Sequence, residues 1–219
     1  MGQTLLTPAQ QTALSFIGGE DALKGFYLSG GTALSAFHLG HRLSDDLDFF
    51  TQETIPFTEV LSAVEGLREV LKAKRVRMDH IHDRHLFFFQ LSDDELKMEF
   101  SRYPFDVLEP PVEHPEYGVR IDGLRDIAAN KLAALLDRFD PKDFVDLYFL
   151  LETRTLYEIR QDAQEKFGIK IGDLFLGSGF SKVRRVEALP KMIKSLSINE
   201  LKAFFTDLAR SLEQGVIAD

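Results

Sequence analysis

A glycine turn and a pair of carboxylates lie close together near the start of the chain. The turn is Ser29-Gly30-Gly31-Thr32, and Asp46-Leu47-Asp48 follows a short stretch later. Because glycine has no Cβ, the backbone at such a turn can approach a phosphate closely. Two carboxylates on one face repel each other unless a cation such as Mg²⁺ lies between them, and that cation also holds substrate phosphates. The two motifs together point to metal-dependent phosphoryl chemistry.

The residues around these motifs predict a strand, a turn, a helix and a second strand. Phe26-Tyr27-Leu28 is a short apolar run typical of a buried strand, which the glycines end. Thr32 is expected to cap the helix, whose first N–H groups are free to receive an anion. In the following strand a period of two puts Asp46 and Asp48 on one face. The alternative is a solvated turn at Ser44-Asp45-Asp46 and glycines that only end a strand.

The longer segment around the carboxylates has a family context. Gly30-Gly31-Thr32-Ala33-Leu34, followed by His41-Arg42-Leu43-Ser44-Asp45-Asp46-Leu47-Asp48-Phe49-Phe50, resembles the AbiEii/AbiGii nucleotidyltransferase toxin family. That family belongs to the polymerase-β-like nucleotidyltransferases, and the resemblance runs from about Gly30 to Leu151. It implies a two-metal enzyme that transfers a nucleotide from an NTP, in the better understood relatives to RNA such as the acceptor end of tRNA.

A third acidic residue is expected on a later strand, because family members carry a Lys-x-Asp pattern there. This chain has Lys97-Met98-Glu99-Phe100, in the second strand of a predicted hairpin. Alternation places Glu99 on the face of Lys97 and Ser101, from where it would bind the second metal and accept the proton of the attacking hydroxyl. Glutamate is one methylene longer than the family's aspartate, which leaves its distance to the metals open. The alternative is an edge-strand glutamate paired with Lys97 or with solvent.

A second block, residues 127–148, also resembles the family and predicts two consecutive helices. Apolar residues recur along the first helix with a period of 3.6, and Lys131 and Arg138 project together from the edge of that stripe. We interpret Lys131 as a triphosphate ligand, the role that the resemblance supports most, Lys142 as a second ligand and Asp146 as a residue that orients the ligands. For Arg138, a salt bridge and a substrate contact are equal alternatives.

The second of these helices is predicted to begin at Pro141, with Asp140 as its N-cap. Asp143 is interpreted as a further carboxylate of that cap. Asp146 lies in an otherwise apolar stretch and needs a cationic partner if it is buried, for which the cations of the first helix are the natural candidates. The polar residues of the first helix are predicted to lie opposite its apolar stripe: Asp126, Asn130 and Asp137.

The predicted nucleotide site combines both blocks. Its catalytic and metal-binding residues are Asp46, Asp48 and Glu99. Its NTP-binding residues are Ser29, Gly30, Gly31, Thr32, Arg42, Lys131, Lys142 and Asp146. The expected metal is Mg²⁺, with Mn²⁺ as an alternative. His41 and Arg42 either contact phosphate or brace the carboxylate loop.

The composition excludes several classes of protein but does not identify the function. With 219 residues, of which 44% are hydrophobic, the chain can bury a substantial core. It has no cysteine, which excludes disulfides, thiol catalysis and cysteine-ligated zinc and suits a reducing cytoplasm. No segment approaches the roughly 20 apolar residues of a membrane span, and the first residues do not resemble a signal peptide.

The net charge of −9 argues against a protein that holds nucleic acid through a broadly basic surface. Any RNA contact is therefore expected to be local, at one of two basic stretches, with a solvated face as the alternative for each. These stretches are Lys72, Lys74, Arg75 and Arg77, and Lys182, Arg184, Arg185, Lys191 and Lys194. An acidic toxin-like enzyme is also suited to a basic partner protein, such as an antitoxin.

The predicted elements indicate an α+β fold followed by a helical C-terminal part, and the resemblance implies that the first part is a polymerase-β-like nucleotidyltransferase core of mixed sheet and flanking helices. We place the core at residues 1–110 and the mainly helical part, which contributes nucleotide-binding residues, at residues 111–219. Two capping-box spacings, Thr155 with Glu158 and Ser197 with Glu200, open helices in that part. Gly177-Ser178-Gly179 between them predicts a loop.

Three histidines offer a competing site. His80 and His82 could share a strand face and, with His85, bind a transition metal. A polar turn leading into the hairpin is the simpler interpretation of this segment.

The resulting hypothesis is a Mg²⁺-dependent nucleotidyltransferase that moves an NMP from an NTP to an acceptor hydroxyl on RNA or tRNA, in a toxin–antitoxin or phage-defence role. Transfer to a small molecule or to a protein is one alternative. The other is a nucleotide-binding regulatory module with little turnover, which Glu99 in place of aspartate makes conceivable.

Overall fold

The computed structural model describes the backbone of residues 5–218 and the side chains of residues 5–212. The chain divides into two compact units. The first consists of Met1–His38 and Leu43–Gly123, and the second of Leu39–Arg42 and Leu124–Asp219. Four residues between the glycine turn and the carboxylate strand therefore belong to the second unit.

The first unit is built around a mixed seven-stranded sheet, which confirms the expected α+β class. Its elements are α1 (Pro8–Gly18), β1 (Tyr27–Ser29), α2 (Gly30–Thr32) continuing as a π-helix (Ala33–Leu39), β2 (Asp46–Thr51), α3 (Phe57–Leu71), β3 (Arg75–Ile81), β4 (Arg84–Gln90), β5 (Glu95–Arg102), β6 (Val112–Glu113) and β7 (Arg120–Ile121). The strand order is β3-β4-β5-β2-β1-β7-β6. The pairs β2–β5 and β1–β7 are parallel, and the other neighbours are antiparallel.

Alternation along the central strands separates a core face from a polar face. Leu47 and Phe49 of β2 are buried, and the ring of Phe49 stacks on Phe100 of β5 with 5.2 Å between centroids. Each such side chain contributes roughly 1.5–3 kcal/mol when fully buried. Because a slip of one residue would turn these side chains out of the core and the carboxylates of β2 into it, the register of β2 is strongly specified.

The second unit is helical. Its helices are α4 (Leu124–Asp137), α5 (Pro141–Leu151), α6 (Leu156–Phe167), α7 (Asp173–Ser181) and α8 (Ile198–Ala218), with a 3₁₀ turn at Lys182–Arg185. α4 packs on α5, α6 and α7, and α8 packs on α5 and α7. Asp140 caps α5 as predicted, and the side-chain and backbone bonds of both capping boxes form, Thr155 with Glu158 and Ser197 with Glu200. Among the helices described, none combines the length and the apolar composition needed to cross a membrane.

The face of α4 opposite its apolar stripe is not uniformly exposed. Asp126 is fully buried and forms an ion pair with Lys166 of α6, at 2.5 Å between Oδ1 and Nζ. Asp137, in contrast, is exposed. The difference arises because α6 packs against α4 and brings a lysine from far along the chain to Asp126.

The glycines at positions 177 and 179 lie inside α7, so the predicted loop is wrong. Gly179 is buried against α4, and a Cβ at this position would lie 2.5 Å from Leu136 Cδ2 and 3.5 Å from Leu135 Cδ2. Glycine therefore allows the backbone of α7 to approach the side chains of α4 closely. The residue type that suggests a linker in the sequence is required here for packing.

Replacing Gly179 with alanine is expected to destabilise the protein, whereas the same change at Gly177 is not. Overpacking at Gly179 should cost about 1–3 kcal/mol. At Gly177 the nearest atom to a new Cβ is Ala209 O at 3.7 Å, an ordinary contact, and alanine favours the helix by up to about 1 kcal/mol. Urea denaturation of both variants measures the difference, and equal stabilities would contradict the close packing at Gly179.

Candidate active site

The glycine turn places the backbone of α2 against the carboxylate of Asp48. Gly30 has a φ of +68°, which glycine adopts without strain. A Cβ built on Gly30 would overlap Asp48 Oδ2. Both observations require glycine at this position, and they join the two sequence motifs into one structural feature.

Thr32 forms a hydrogen bond to β2, the strand that bears Asp46 and Asp48. It does not cap the helix, so its predicted capping role is wrong. α2 begins at Gly30, which places Thr32 within the first turn. The Thr32 hydroxyl donates instead to the backbone carbonyl of Asp46. Because this hydrogen bond joins the helix to β2, Thr32 fixes the position of the carboxylates relative to the glycine turn.

Ser29, which the sequence assigns to NTP binding, is fully buried. Its Oγ donates to Asp122 Oδ2 at 2.6 Å. Asp122 in turn accepts from the Gly123 N–H at 3.1 Å, and its backbone carbonyl accepts from His38 Nε2 at 2.9 Å. The Ser29 hydroxyl is therefore used within the protein, where it supports the glycine turn.

Asp46, Asp48 and Glu99 lie on the same face of the sheet, as alternation within each strand and the family resemblance together imply. β2 and β5 run parallel, with Asp46 opposite Lys97 and Asp48 opposite Glu99. Lys97 Nζ donates to Asp46 Oδ2 at 3.0 Å, and both side chains are partly exposed. One carboxylate of the pair thus has a cationic partner within the sheet and can still be reached from solvent.

Glu99 is held by Arg84. The Arg84 Nε donates to Oε1 and Nη2 donates to Oε2, each at 2.6 Å, and the Ser101 hydroxyl also donates to Oε1. Burial by itself raises the pKa of the Glu99 carboxyl, but the hydrogen bonds from Arg84 and Ser101 and the charges of Arg84 and Lys97 outweigh it and lower that pKa. β5 is an internal strand, so neither the edge-strand alternative nor the pairing with Lys97 describes Glu99.

Arg84 is a functional candidate that the sequence interpretation missed. The register of the predicted hairpin could have indicated it, because this register brings Arg84 near Glu99. Outward from the turn of the hairpin, Phe88 pairs with Lys97 and Arg84 with Ser101. Arg84 is therefore two residues along the strand from the position opposite Glu99, which a long side chain can reach.

The carboxylates fit a divalent cation only in part. Asp46 and Asp48 supply oxygen ligands, and Mg²⁺ is commonly held by one or two carboxylates together with substrate phosphates. Both oxygens of Glu99, the third predicted ligand, accept hydrogen bonds from Arg84, so this carboxylate is engaged in an ion pair. Within residues 5–212, no group of three or more histidine, aspartate or glutamate side chains is arranged to hold a metal ion.

The histidines offered as a transition-metal site form a ring stack instead. His80 and His85 are cross-strand neighbours whose parallel rings lie 4.4 Å apart, and Phe57 stacks on His85 at 4.6 Å. His82 lies in the turn between β3 and β4 with a φ of 53°. Burial, and to a lesser degree the neighbouring His80, lowers the pKa of His85. The segment is therefore a β-hairpin in which His80 and His85 lie on paired strands and His82 lies in the turn.

In the helical unit, Asp146 is the centre of a buried ion cluster. Its carboxylate accepts from Arg42 Nε at 2.6 Å and Nη2 at 2.8 Å, and from His41 Nε2 at 2.7 Å. Lys131 Nζ lies 2.7 Å from Asp146 Oδ2. Burial would raise the pKa of Asp146, but the charge of Lys131 and the hydrogen bonds from Arg42 and His41 hold it well below its ordinary value. The predicted need for a cationic partner is confirmed.

Asp143 belongs to the same cluster, so its predicted capping role is wrong. Its buried carboxylate lies 3.0 Å from Lys131 Nζ and 3.0 Å from Arg138 Nε. Asp140 provides the cap by accepting from the Lys142 N–H. The reason is that α5 packs on α4, whose two cations face its buried carboxylates. For Arg138, the structure shows the salt bridge.

The cations that the sequence assigns to NTP binding differ in exposure. Arg42 is 1% exposed and Lys131 is 8% exposed, whereas Lys142 is on the surface of α5. Burial by itself lowers the pKa of Lys131, but the carboxylates of Asp146 and Asp143 outweigh it and raise that pKa, so Lys131 is a cation at neutral pH. The Arg42 guanidinium braces α5 through Asp146, whereas the bracing role left open in the sequence concerned the carboxylate loop.

Comparison with known proteins agrees with this architecture. The family model of the nucleotidyl transferase AbiEii toxin of type IV toxin–antitoxin systems matches residues 20–215. The uncharacterized protein aq_aa25 of Aquifex aeolicus (strain VF5) is 35% identical over 164 residues, which are 74% of this chain and 76% of that protein. JHP933 from Helicobacter pylori has a similar fold, with a TM-score of 0.57 and 18% identity over 96% of this chain and 91% of its own. A second crystal structure from H. pylori has a TM-score of 0.58 and 17% identity, over 96% of this chain and 94% of its own. This chain belongs to the AbiEii nucleotidyltransferase toxin family.

Proposed function

We propose that this protein transfers an NMP from an NTP to a hydroxyl group of RNA in a Mg²⁺-dependent reaction. The family is one of nucleotidyltransferases, and the proposal adds the metal, the NTP site and the acceptor. The single observation that carries it is the contact between Gly30 and Asp48, because it places a turn suited to a phosphate directly beside a carboxylate suited to a cation.

In this proposal Asp46 and Asp48 would hold Mg²⁺, with Mn²⁺ as the alternative. The ion, when bound, would neutralise charge on the phosphates and stabilise the entering and leaving oxygens. The backbone of Gly30 and Gly31 would lie along the triphosphate, and Thr32 would keep β2 in place through its bond to Asp46. The oxygen of the acceptor hydroxyl attacks the α-phosphorus and forms a new phosphoester bond, the hydroxyl proton passes to solvent water, and the bond from that phosphorus to pyrophosphate breaks.

The remaining predicted ligands act in two ways. Lys142, which is exposed, is proposed to contact an anionic group of the substrate. Arg42, Lys131 and Asp146 are proposed to support the reaction through the buried ion cluster, since their charged groups are already paired with each other.

RNA is favoured as acceptor by a row of cross-strand neighbours that leads to the carboxylates. Arg77 of β3 pairs with Phe88 of β4, Phe88 pairs with Lys97 of β5, and Lys97 pairs with Asp46 of β2. The Arg77 guanidinium lies 3.8 Å from the centroid of the Phe88 ring. Cationic and aromatic side chains in alternation are typical of surfaces that bind single-stranded nucleic acid. Because this row is a small local surface, it also agrees with the net charge of −9, which argues against RNA binding through a broadly basic surface.

The test is an incubation of the protein with each labelled NTP, Mg²⁺ and total RNA. Label in RNA, from one NTP or several, is the expected result. Label in a small molecule or a protein, and not in RNA, would identify a different acceptor but would still support nucleotidyl transfer. Absence of transfer from every NTP to any acceptor would overturn the proposal. The expected antitoxin partner is tested in cells. Growth arrest caused by expression of this protein should be relieved when the product of a neighbouring antitoxin gene is co-expressed.

Replacing Gly30 with alanine is expected to reduce this activity by at least about tenfold, because misplacement of a reacting group by 1 Å can cost about 10² in rate. Gly168 provides a matched control. It has a similar φ of +62° but no atom within 4 Å of a new Cβ, so Gly168→Ala carries only the backbone cost of about 1–2 kcal/mol. Rates and melting temperatures of the two variants separate the effects. Equal rates would show that the Gly30–Asp48 contact has no catalytic importance.

A further inference from the structure

Arg84 and Glu99 form an ion pair in which the carboxylate fixes the position of the guanidinium. Two parallel hydrogen bonds of 2.6 Å join the guanidinium to the carboxylate, and Ser101 adds a third donor. Charge-assisted bidentate pairs of this kind are among the strong interactions in proteins. A carboxylate whose two oxygens are both engaged in this way has little capacity left for a cation.

The two ends of the pair differ in exposure. The Glu99 side chain is 5% exposed and the Arg84 side chain is 51% exposed. A guanidinium carries five N–H donors, and Glu99 receives two of them. The buried glutamate therefore fixes the orientation of a guanidinium that solvent, or a ligand, can still reach.

The position of the pair is next to the carboxylates of β2. Glu99 lies directly opposite Asp48 in the sheet, and Arg84 is close enough for the charge of Asp48 to contribute to its raised pKa, after the larger effect of Glu99. Arginine binds phosphate groups through the same planar fork with which it binds carboxylates. An NTP whose phosphates share a cation with Asp46 and Asp48 would bring negative charge to this position.

The length of glutamate has a role in this arrangement. Arg84 stands opposite Ser101, and Leu86 stands opposite Glu99, so the two charged side chains meet diagonally across β4 and β5. Diagonal neighbours are farther apart than direct ones and need long side chains. An aspartate at position 99 would be one methylene shorter and less able to hold Arg84.

We propose that Arg84 binds the triphosphate of the NTP, and that Glu99 is a positioning residue which holds Arg84 and is not a ligand of a second metal. This inference rests on the proposed function for the identity of the ligand. It replaces the metal-binding and proton-accepting roles that the sequence predicts for Glu99. It leaves Asp46 and Asp48 as the carboxylates that would hold the cation.

Two binding measurements without turnover test the inference. Calorimetry with a non-hydrolysable α,β-methylene NTP analogue and Mg²⁺ measures nucleotide affinity, and electron paramagnetic resonance measures Mn²⁺ affinity in the absence of nucleotide. Arg84→Gln is expected to weaken analogue binding at least about tenfold, which corresponds to about 1.4 kcal/mol, without weakening Mn²⁺ binding, since the loss of a positive charge near Asp48 does not disfavour a cation there. Arg84→Lys should recover part of the loss, because the charge remains and the fork does not.

Glu99→Gln distinguishes the two roles of the glutamate. A positioning role predicts weaker analogue binding with unchanged Mn²⁺ affinity, and Glu99→Asp should behave similarly. Arg210→Gln, at an exposed position in α8, is the control expected to change neither measurement. Melting temperatures of all variants confirm that they are folded.

The possible failures are distinguishable. Loss of Mn²⁺ binding in Glu99→Gln, with analogue binding intact in Arg84→Gln, would overturn the inference in favour of a metal ligand. Analogue binding by the wild type that Arg84→Gln leaves unchanged would overturn the inference alone. No analogue binding by the wild type would overturn it together with the proposed function.

Discussion

Replacing Asp48 with asparagine is expected to reduce nucleotidyl transfer by at least about 10³-fold, since stabilisation by a bound cation is worth several kcal/mol and each 1.36 kcal/mol is tenfold in rate. Asparagine keeps the shape of the side chain against Gly30, so the turn should remain intact. The change removes the negative charge that would hold the cation. Initial rates of label transfer to RNA, measured at saturating NTP and Mg²⁺, provide the comparison.

Asp45→Asn is the matched control for this experiment. Asp45 precedes the carboxylate pair and is exposed, outside the strand that bears Asp46 and Asp48. Its loss changes the local charge by the same amount without removing a proposed ligand. Retention of activity within tenfold in Asp48→Asn, or an equal loss in Asp45→Asn, would contradict the assignment of Asp48.

Replacing Asp146 with asparagine is expected to lower the free energy of unfolding by about 3–5 kcal/mol, the usual cost of removing one partner of a buried ion pair. The variant would leave Arg42 and Lys131 buried around a neutral amide, with the pair between Lys131 and Asp143 retained. Urea denaturation at pH 7 measures this loss. Asp137→Asn, at an exposed position on α4, should change stability by no more than about 0.5 kcal/mol.

The same residue gives the stability a dependence on pH of known sign. The pKa of Asp146 in the folded protein is held well below its ordinary value, whereas in the unfolded chain it is about 3.9. Its stabilising contribution is therefore complete above pH of about 3.9 and is lost as the pH falls towards the folded pKa. Asp146→Asn should show a shallower loss of stability in acid than the wild type. Identical slopes in the two proteins would contradict the buried charge at Asp146.

Local patterns in the sequence predict much of this structure. The strand before the glycine turn, the alternation along β2 and β5, and both capping boxes depend on neighbouring residues, whose geometry follows from the period of the backbone. The same reasoning places Asp46 and Asp48 on one face of β2, and Glu99 on the face of Lys97 and Ser101 in β5, before any tertiary contact is known. These predictions succeed because each uses a single element or two strands joined by a short turn.

Several partners that come from separate elements were not predicted, although the pairing of Asp146 on α5 with a cation of α4 was. Asp143 fits the spacing of a helix cap equally well, and only the packing of α5 on α4 shows that Lys131 and Arg138 take its charge. Gly179 suggests a loop until the side chain of Leu136 is seen against it. In each case the residue type alone is compatible with two structures. The packing of the helices determines which of the two forms.

The placement of Leu39–Arg42 in the helical unit has a consequence for synthesis of the protein. Arg42 and Asp146 are separated by 104 residues, so at a typical rate of about 5–20 residues per second the ribosome adds the aspartate on the order of 5–20 s after the arginine. A nascent chain that ends at Gly123 contains all seven strands but lacks the carboxylate that neutralises Arg42. Translation must therefore pass α5 before the residues between the glycine turn and the carboxylate strand reach their native surroundings.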